Sequence, residues 1–176
     1  MSNHIRRGEI AQPIYVRVGT SEARRTFLVL EEPLTYCSSY FRTVLALPVI
    51  KGEVNQVMLP EEDPQVFADF HSWLSDKQIP NSAVTFVRVF DIYALGERLG
   101  IPDLCNSAID AIFSMLTLEW DMPWKHWVRE RLCFEFVFQH SVWHDMEYVY
   151  KNTTETSVLR KLIREFAAET LIWPSI

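Results

Sequence analysis

Two short alternating segments constrain this chain most, because they stand at the head of a sequence otherwise patterned for helices. Ile14, Val16 and Val18 fall on one face of an extended strand and Tyr15 and Arg17 on the other, since successive side chains of a strand point to opposite sides. Gly19-Thr20-Ser21 supplies a turn, and 26–30 reads as the return strand of a hairpin. A third strand is expected at 56–59, after the turn Lys51-Gly52-Glu53. Strands this few and this short are not stable alone, so helices must cover their apolar face.

The helical segments are legible from spacing and punctuation. Between the second and third strands, 33–47 reads as one helix with Leu34, Cys37, Phe41, Val44 and Leu45 apolar. Asp63-Pro64 is a helix start: the carboxylate can accept from orphan amides, and proline sits where its missing N–H costs nothing. Val66, Phe67, Phe70, Trp73 and Leu74 then follow the three-and-four spacing of one helix face. A helix over 84–99 turns Phe86, Val89, Phe90, Tyr93 and Ala94 inward, and Gly100 closes it as a left-handed cap. Pro102 starts the next, with Leu104, Ala108, Ile109, Ile112 and Phe113 apolar.

Beyond that helix the composition changes. All five glycines lie at or before Gly100, five of the six tryptophans lie beyond Thr117, and neither glycine nor proline occurs over 124–173. These shifts set the expected division: an arm at 1–13, a core domain at 14–117, and a helical extension at 118–176 that packs on the domain. Leu132, Phe134, Phe136 and Phe138 alternate as a strand would, whereas Trp124, Trp127, Val128, Phe134, Phe138 and Val142 fit a helix. The length of the segment and its lack of turn residues favour helix. A final helix at 157–172 carries Val158, Leu159, Leu162, Ile163, Phe166 and Leu171 on its apolar side. Trp120, Trp124, Trp127 and Trp143 are expected in the packing of the extension; an exposed aromatic patch would instead mark a partner site.

Composition removes several function classes. A 176-residue chain with 48% hydrophobic and 23% charged residues is long enough, and apolar enough, to bury a core. Its net charge of −6 repels phosphate backbones, so nucleic acid is not an expected partner. No apolar run approaches the roughly 20 residues of a membrane span, and 1–10 lacks the apolar stretch of a signal peptide. The expected location is intracellular, in cytoplasm or nucleus, where the sequon at Asn152-Thr153-Thr154 stays unmodified. Cys37, Cys105 and Cys133 are odd in number and widely spaced, which fits buried reduced thiols rather than disulfides or a zinc motif.

The chemistry-bearing residues do not assemble into a catalytic pattern. His140 and His144 share a helix face at the spacing of paired zinc ligands, but Ser141 stands where a metalloprotease motif needs glutamate, and spacing fixes no third ligand. Cys37 lies on the apolar side of a core helix without a basic neighbour, which leaves its thiol inert. Glu61, Glu62 and Asp63 match the preference of a helix N-terminus for negative charge. Phosphate loops, dinucleotide fingerprints and nucleophile elbows need glycine spacings that are absent. No catalytic residue, cofactor or metal is assigned, and the chain is expected to act by binding rather than as an enzyme.

The order strand–strand–helix–strand–helix–helix–helix, with particular words at particular points, resembles the BTB/POZ family. Those words are Val16-Arg17-Val18-Gly19, Phe27-Leu28-Val29, and Leu34 with Ser38-Ser39-Tyr40-Phe41-Arg42. They continue as the run from Met58 to Phe67, then Phe70 with Trp73-Leu74, and finally the run from Tyr93 to Ile101 followed by Leu104. Tyr148-Val149-Tyr150-Lys151-Asn152-Thr153 and Leu159-Arg160-Lys161-Leu162 add to the set, and the whole is similar to the short stand-alone BTB proteins common in fungi. The resemblance covers roughly 14–116 and part of the extension. It implies an α+β fold with a small mixed sheet flanked by a cluster of helices.

In function, the resemblance implies a protein-interaction scaffold that forms homo- or heterodimers. The implied partners are a second copy, another BTB protein, or a Cullin-type ubiquitin ligase for which it would be a substrate adaptor. The surface it implies lies on the first strand and first helices, at Ile14, Leu34, Tyr36, Ser38 and Tyr40. The sequence departs from the family pattern in three places. Leu30 replaces a histidine, Gln12-Pro13 stands where an acid often precedes the first strand, and Ser82-Ala83-Val84 lacks the acid of a ligase-adaptor word.

Overall fold

A computed structural model describes residues 13–20, 22–47, 55–80, 85–118 and 141–171. Strand β1 (Pro13–Val18) is central to a three-stranded sheet of order β2-β1-β3. Strand β2 (Arg25–Leu30) runs antiparallel to it, with Tyr15 opposite Leu28 and Val18 opposite Arg25. Strand β3 (Gln56–Leu59) runs parallel to β1, with Tyr15 beside Gln56 and Val18 beside Leu59. The sheet is therefore mixed. Its inner face is Ile14, Val16, Val18, Val29, Val57 and Leu59, all buried. The turn after β1 uses Gly19 at φ +87°, where an added Cβ would meet the Pro64 side chain at 2.8 Å.

The region expected as a single helix at 33–47 is two helices. Helix α1 (Glu31–Cys37) starts two residues earlier, with Pro33 still inside its first turn, where a missing N–H is tolerated. Helix α2 (Ser39–Leu45) follows after Ser38, which is extended at φ −118°, ψ 123°. At the break Ser38 makes one contact with the start of α2 and one far along the chain, both described below.

Helix α3 (Pro64–Asp76) begins as its sequence indicates. Asp63 Oδ1 accepts hydrogen bonds from the amides of Gln65 at 2.7 Å and Val66 at 2.9 Å. It ends at Lys77, whose backbone is left-handed and whose ammonium lies 4.1 Å from the centre of the Trp73 ring. Helix α4 (Phe86–Leu99) starts two residues later than the expected 84, because Thr85 is its cap and accepts from the Arg88 amide. It closes at Gly100 with φ 61°. Helix α5 (Pro102–Leu118), helix α6 (Ser141–Asn152) and helix α7 (Val158–Leu171) complete the described elements. Helix α5 passes through the expected 117/118 division, and the final helix begins one residue after the expected 157, with Ser157 in front of it.

Helix α4 is the hub: it packs against α2, α3, α5 and α6. Its buried row Val89, Ile92, Tyr93, Leu95 and Leu99 meets Phe67, Phe70 and Trp73 of α3 and Leu104, Ala108 and Ile112 of α5. Aromatic rings knit sheet to helix, with Phe27 and Phe67 centred 4.8 Å apart and Phe67 and Phe70 5.3 Å apart. Truncating a buried ring of this kind to alanine costs about 3–5 kcal/mol. Val149 of α6 and Leu159 of α7 reach the same core.

Two residues expected on inner faces lie outside instead. Phe113 is 48% exposed because the seam of α5 runs through Leu104, Ala108 and Ile112, and Phe113 stands about 100° around the helix from that row. Val158 is 62% exposed at the first position of α7, whose inward residues are Leu159, Leu162 and Ile163. Trp120, Trp124 and Trp127, and the segment 132–138 that was balanced between strand and helix, lie outside the described residues.

Candidate functional site

The corner between α1 and α2 is built from short polar contacts to a distant part of the chain. The Ser38 hydroxyl donates to the Leu99 carbonyl at 2.6 Å and accepts from the Phe41 amide at 3.1 Å. One oxygen thus caps α2 and ties the corner to the end of α4. The Ser39 amide donates to the Gly100 carbonyl at 3.1 Å. The approach is so close that a Cβ on Gly100 would lie 2.0 Å from Ser39 Oγ. Arg42 then closes the corner from outside, its guanidinium donating to the carbonyls of Thr35 at 3.1 Å and Tyr36 at 3.3 Å. Those carbonyls belong to the last turn of α1, which is favourable for a cation.

This scaffold divides the five residues singled out in the sequence. Ile14, Leu34 and Ser38 have no accessible surface and belong to the interior. Tyr36 is 81% exposed, and Tyr40 is half-buried with its ring edge-on to Phe41 at 5.4 Å. Helical spacing explains the split. Leu34 and Cys37 of α1 turn to the core, which leaves Tyr36 on the opposite side of that helix.

The outer face of the sheet is a second surface, one that the strand patterns did not single out. It consists of Pro13, Tyr15 and Arg17 of β1, Thr26, Leu28 and Leu30 of β2, and Gln56 and Met58 of β3. Tyr15, Leu28, Leu30 and Met58 are all exposed large apolar side chains, and Arg17 is the only charge among the eight. Tyr15 stands directly opposite Leu28, so the apolar residues adjoin across β1 and β2. A sheet face turned to solvent is ordinarily polar. The signal available in the sequence was the uncharged run 26–30, which has apolar residues on both faces.

Polar clips hold the last two helices to α4. The Tyr93 hydroxyl donates to Glu97 at 3.2 Å and accepts from the Ser157 hydroxyl and the Leu159 amide, each at 3.3 Å. Glu97 also accepts from the Thr154 amide at 3.1 Å, and the Tyr148 hydroxyl donates to the Asp91 carboxylate. Burial pushes the Asp91 carboxyl up, against the opposing pull of the Tyr148 hydrogen bond and Arg88. Tyr148 is pushed up to about 12 by its own burial and then by Asp91. Glu62, expected only as a helix-terminus charge, is buried and receives Arg98 Nε at 2.8 Å and Nη2 at 2.5 Å. Apart from Tyr93 and Glu97, which are four residues apart on α4, none of these partners is near its mate in sequence.

The same positions bear on reactive chemistry. Burial pushes the Cys37 thiol above its usual value and the Cys105 thiol up to about 12, so neither is a thiolate near neutral pH. Cys133 and His140 lie outside the described residues, and for His144 only the helical backbone is described. Among the described residues, no three histidine, cysteine, aspartate or glutamate side chains converge in a way that could hold a metal ion. No helix among them is long and apolar enough to cross a membrane.

No family model matches the sequence, and no curated protein matches it. Solved structures do match. The chain is similar to the BTB domain of zebrafish PATZ1, with 18% identity, a TM-score of 0.45, and coverage of 57% of this chain and 75% of that one.

Proposed function

We propose that this chain is a BTB/POZ-type scaffold that works by binding other proteins, with its domain at 14–117 and the extension 118–176 completing it. The observation that carries this reading is the fall of the collinear words on the elements. Val16-Arg17-Val18-Gly19 ends β1, and Phe27-Leu28-Val29 is the middle of β2. Ser38-Ser39-Tyr40-Phe41-Arg42 makes the α1–α2 corner, and the run from Tyr93 to Ile101 closes α4 against that corner. Residues that would otherwise be unremarkable thereby have a shared purpose: they fix two surface helices rigidly, and Tyr36 projects from them.

Within this reading Tyr36 and Tyr40 are the contact residues, and Ile14, Leu34 and Ser38 support them from inside. A large aromatic on a rigid element is the usual anchor of an interface. Homo- or heterodimerisation is the mode we favour. Adaptor binding to a Cullin-type ligase is the second, and the missing acid in Ser82-Ala83-Val84 counts against it. The test is sedimentation velocity together with affinity capture from cells, comparing the natural chain with Tyr36→Asp. The reading expects self-association or a reproducible captured partner that Tyr36→Asp loses. A chain that stays monomeric and captures nothing reproducibly would overturn it.

A further inference from the structure

We propose that α6 and α7 form one strap, latched on α4 by the Tyr93 hydroxyl, that opens as a unit while the rest of the domain stays folded. Two sets of contacts support this. The first binds the strap to itself. Arg160 of α7 donates to the carbonyls of Tyr150 and Thr153 and, at 3.0 Å, to the Thr153 hydroxyl. Its guanidinium lies 5.0 Å from the centre of the Tyr150 ring. The Thr153 hydroxyl donates to the Val149 carbonyl at 2.6 Å, and the Ser157 amide to the Thr154 carbonyl at 3.1 Å. The joint between the two helices is thus closed by its own bonds, and α6 moves with α7.

The second set joins the strap to the domain, and among the described residues every hydrogen bond in it ends on α4. Tyr148 reaches Asp91, Thr154 reaches Glu97, and both Ser157 and Leu159 reach Tyr93. Leu159 is the second residue of α7, where a backbone amide has no partner within its own helix. The acceptor that a capping side chain ordinarily supplies there comes instead from Tyr93, on a different helix. Docking therefore completes the start of α7.

Opening exchanges these polar contacts for contacts with water, which offsets most of their loss. The remaining cost is the exposure of Val149 and Leu159, and of Leu162 and Ile163 in part. Helix α4 also packs against α2, α3 and α5, so it stays in place when the strap leaves it. An element held largely by polar contacts to one neighbour belongs at the low end of the local stabilities of a fold. Opening turns Tyr93, only 3% exposed in the docked form, toward solvent. These contacts involve none of Tyr36, Tyr40 or the α1–α2 corner, so the strap goes beyond the reading proposed above and stands apart from it.

The experiment is native-state hydrogen exchange on the full chain at rising urea, below the unfolding transition, read residue by residue by NMR. In the natural chain the protected amides of α6 and α7 are expected to share one opening free energy and one urea slope, both smaller than those of α3 and α5. Tyr93→Phe removes contacts to the start of α7, and Tyr148→Phe removes a contact of α6. Because the strap opens as a unit, each substitution is expected to speed exchange about tenfold or more in both helices. The α3 and α5 amides should change by less than about twofold, which also shows that each variant is folded. Amides of α6 and α7 that open with different slopes, or only as α3 and α5 do, would overturn the inference from the natural chain alone. A substitution that speeds only the helix it touches, or that speeds α3 and α5 equally, would overturn it as well.

Discussion

Replacing Ser38 with alanine removes one oxygen atom and, with it, both the cap on α2 and the side-chain link between the α1–α2 corner and the end of α4. The first is the cap on α2: the Phe41 amide at 3.1 Å loses its acceptor, which costs about 1 kcal/mol within a range of roughly 0.5–2. The second is larger. The Leu99 carbonyl accepts from Ser38 at 2.6 Å in a site closed to solvent, and a buried acceptor left without its donor costs about 1–3 kcal/mol. Serine and alanine differ so little in volume that no cavity cost enters. The sum is about 2–4 kcal/mol, a large part of the roughly 5–15 kcal/mol that holds a domain together. With a urea slope of about 2 kcal/mol/M, the unfolding midpoint should fall by about 1–2 M. Ser38→Thr keeps the hydroxyl and should lose less than half as much. Exchange of the Phe41 and Ser39 amides should accelerate in the alanine variant ahead of global unfolding. An alanine variant that loses less than about 1 kcal/mol, or a threonine variant as unstable as alanine, would show that Ser38 does not tie the corner to α4.

The facing corner can be tested in the same way. Gly100→Ala should cost more than about 1–2 kcal/mol, the ordinary penalty of a left-handed alanine, because its Cβ also strikes Ser39 Oγ; Ser39→Ala in the same chain should recover part of the loss in a double-mutant cycle by urea denaturation. With its pKa near 12, Cys105 is a thiolate in only about one molecule in ten thousand at pH 8. Iodoacetamide should therefore modify Cys37 and Cys105 slowly in the native chain and rapidly in urea, as read by peptide mass mapping, and native labelling at the rate of a free cysteine would refute the burial. Asp91 gives a pH test whose sign is fixed. Its folded pKa is raised above the unfolded value, so the folded state binds the extra proton and stability falls as pH rises through that window. Asp91→Asn keeps an acceptor for Tyr148, so it should match or exceed the natural chain in stability at pH 7 and lose that margin on acidification past the usual carboxylate range. A variant clearly less stable at pH 7 would show that the Asp91 charge is stabilising.

Local pattern was sufficient wherever a residue's partner lay within one or two turns of it. Asp63 caps the amides two and three residues ahead, and Gly100 ends the helix it adjoins. Ile14, Val16 and Val18 face inward because alternation and burial obey the same period. The small sheet covered by helices followed from these elements, since so few strands have to be covered by something.

Tertiary structure decided everything whose partner is distant. Spacing over 33–47 fits one helix; at the break Ser38 caps the Phe41 amide locally, and its hydroxyl is held there by the carbonyl of Leu99, 61 residues away. Glu62 looks like one of three equivalent acids until Arg98, 36 residues on, singles it out. Tyr93, Glu97 and Asp91 read as ordinary positions of one helix, yet they hold the last two. The interaction surface shows the same division. Sequence placed Ile14, Leu34, Tyr36, Ser38 and Tyr40 in one neighbourhood, but which of them reach solvent depends on how α1 and α2 lie against α4. A helix or strand pattern states which side chains share a face; only the packed neighbours determine whether that face is covered.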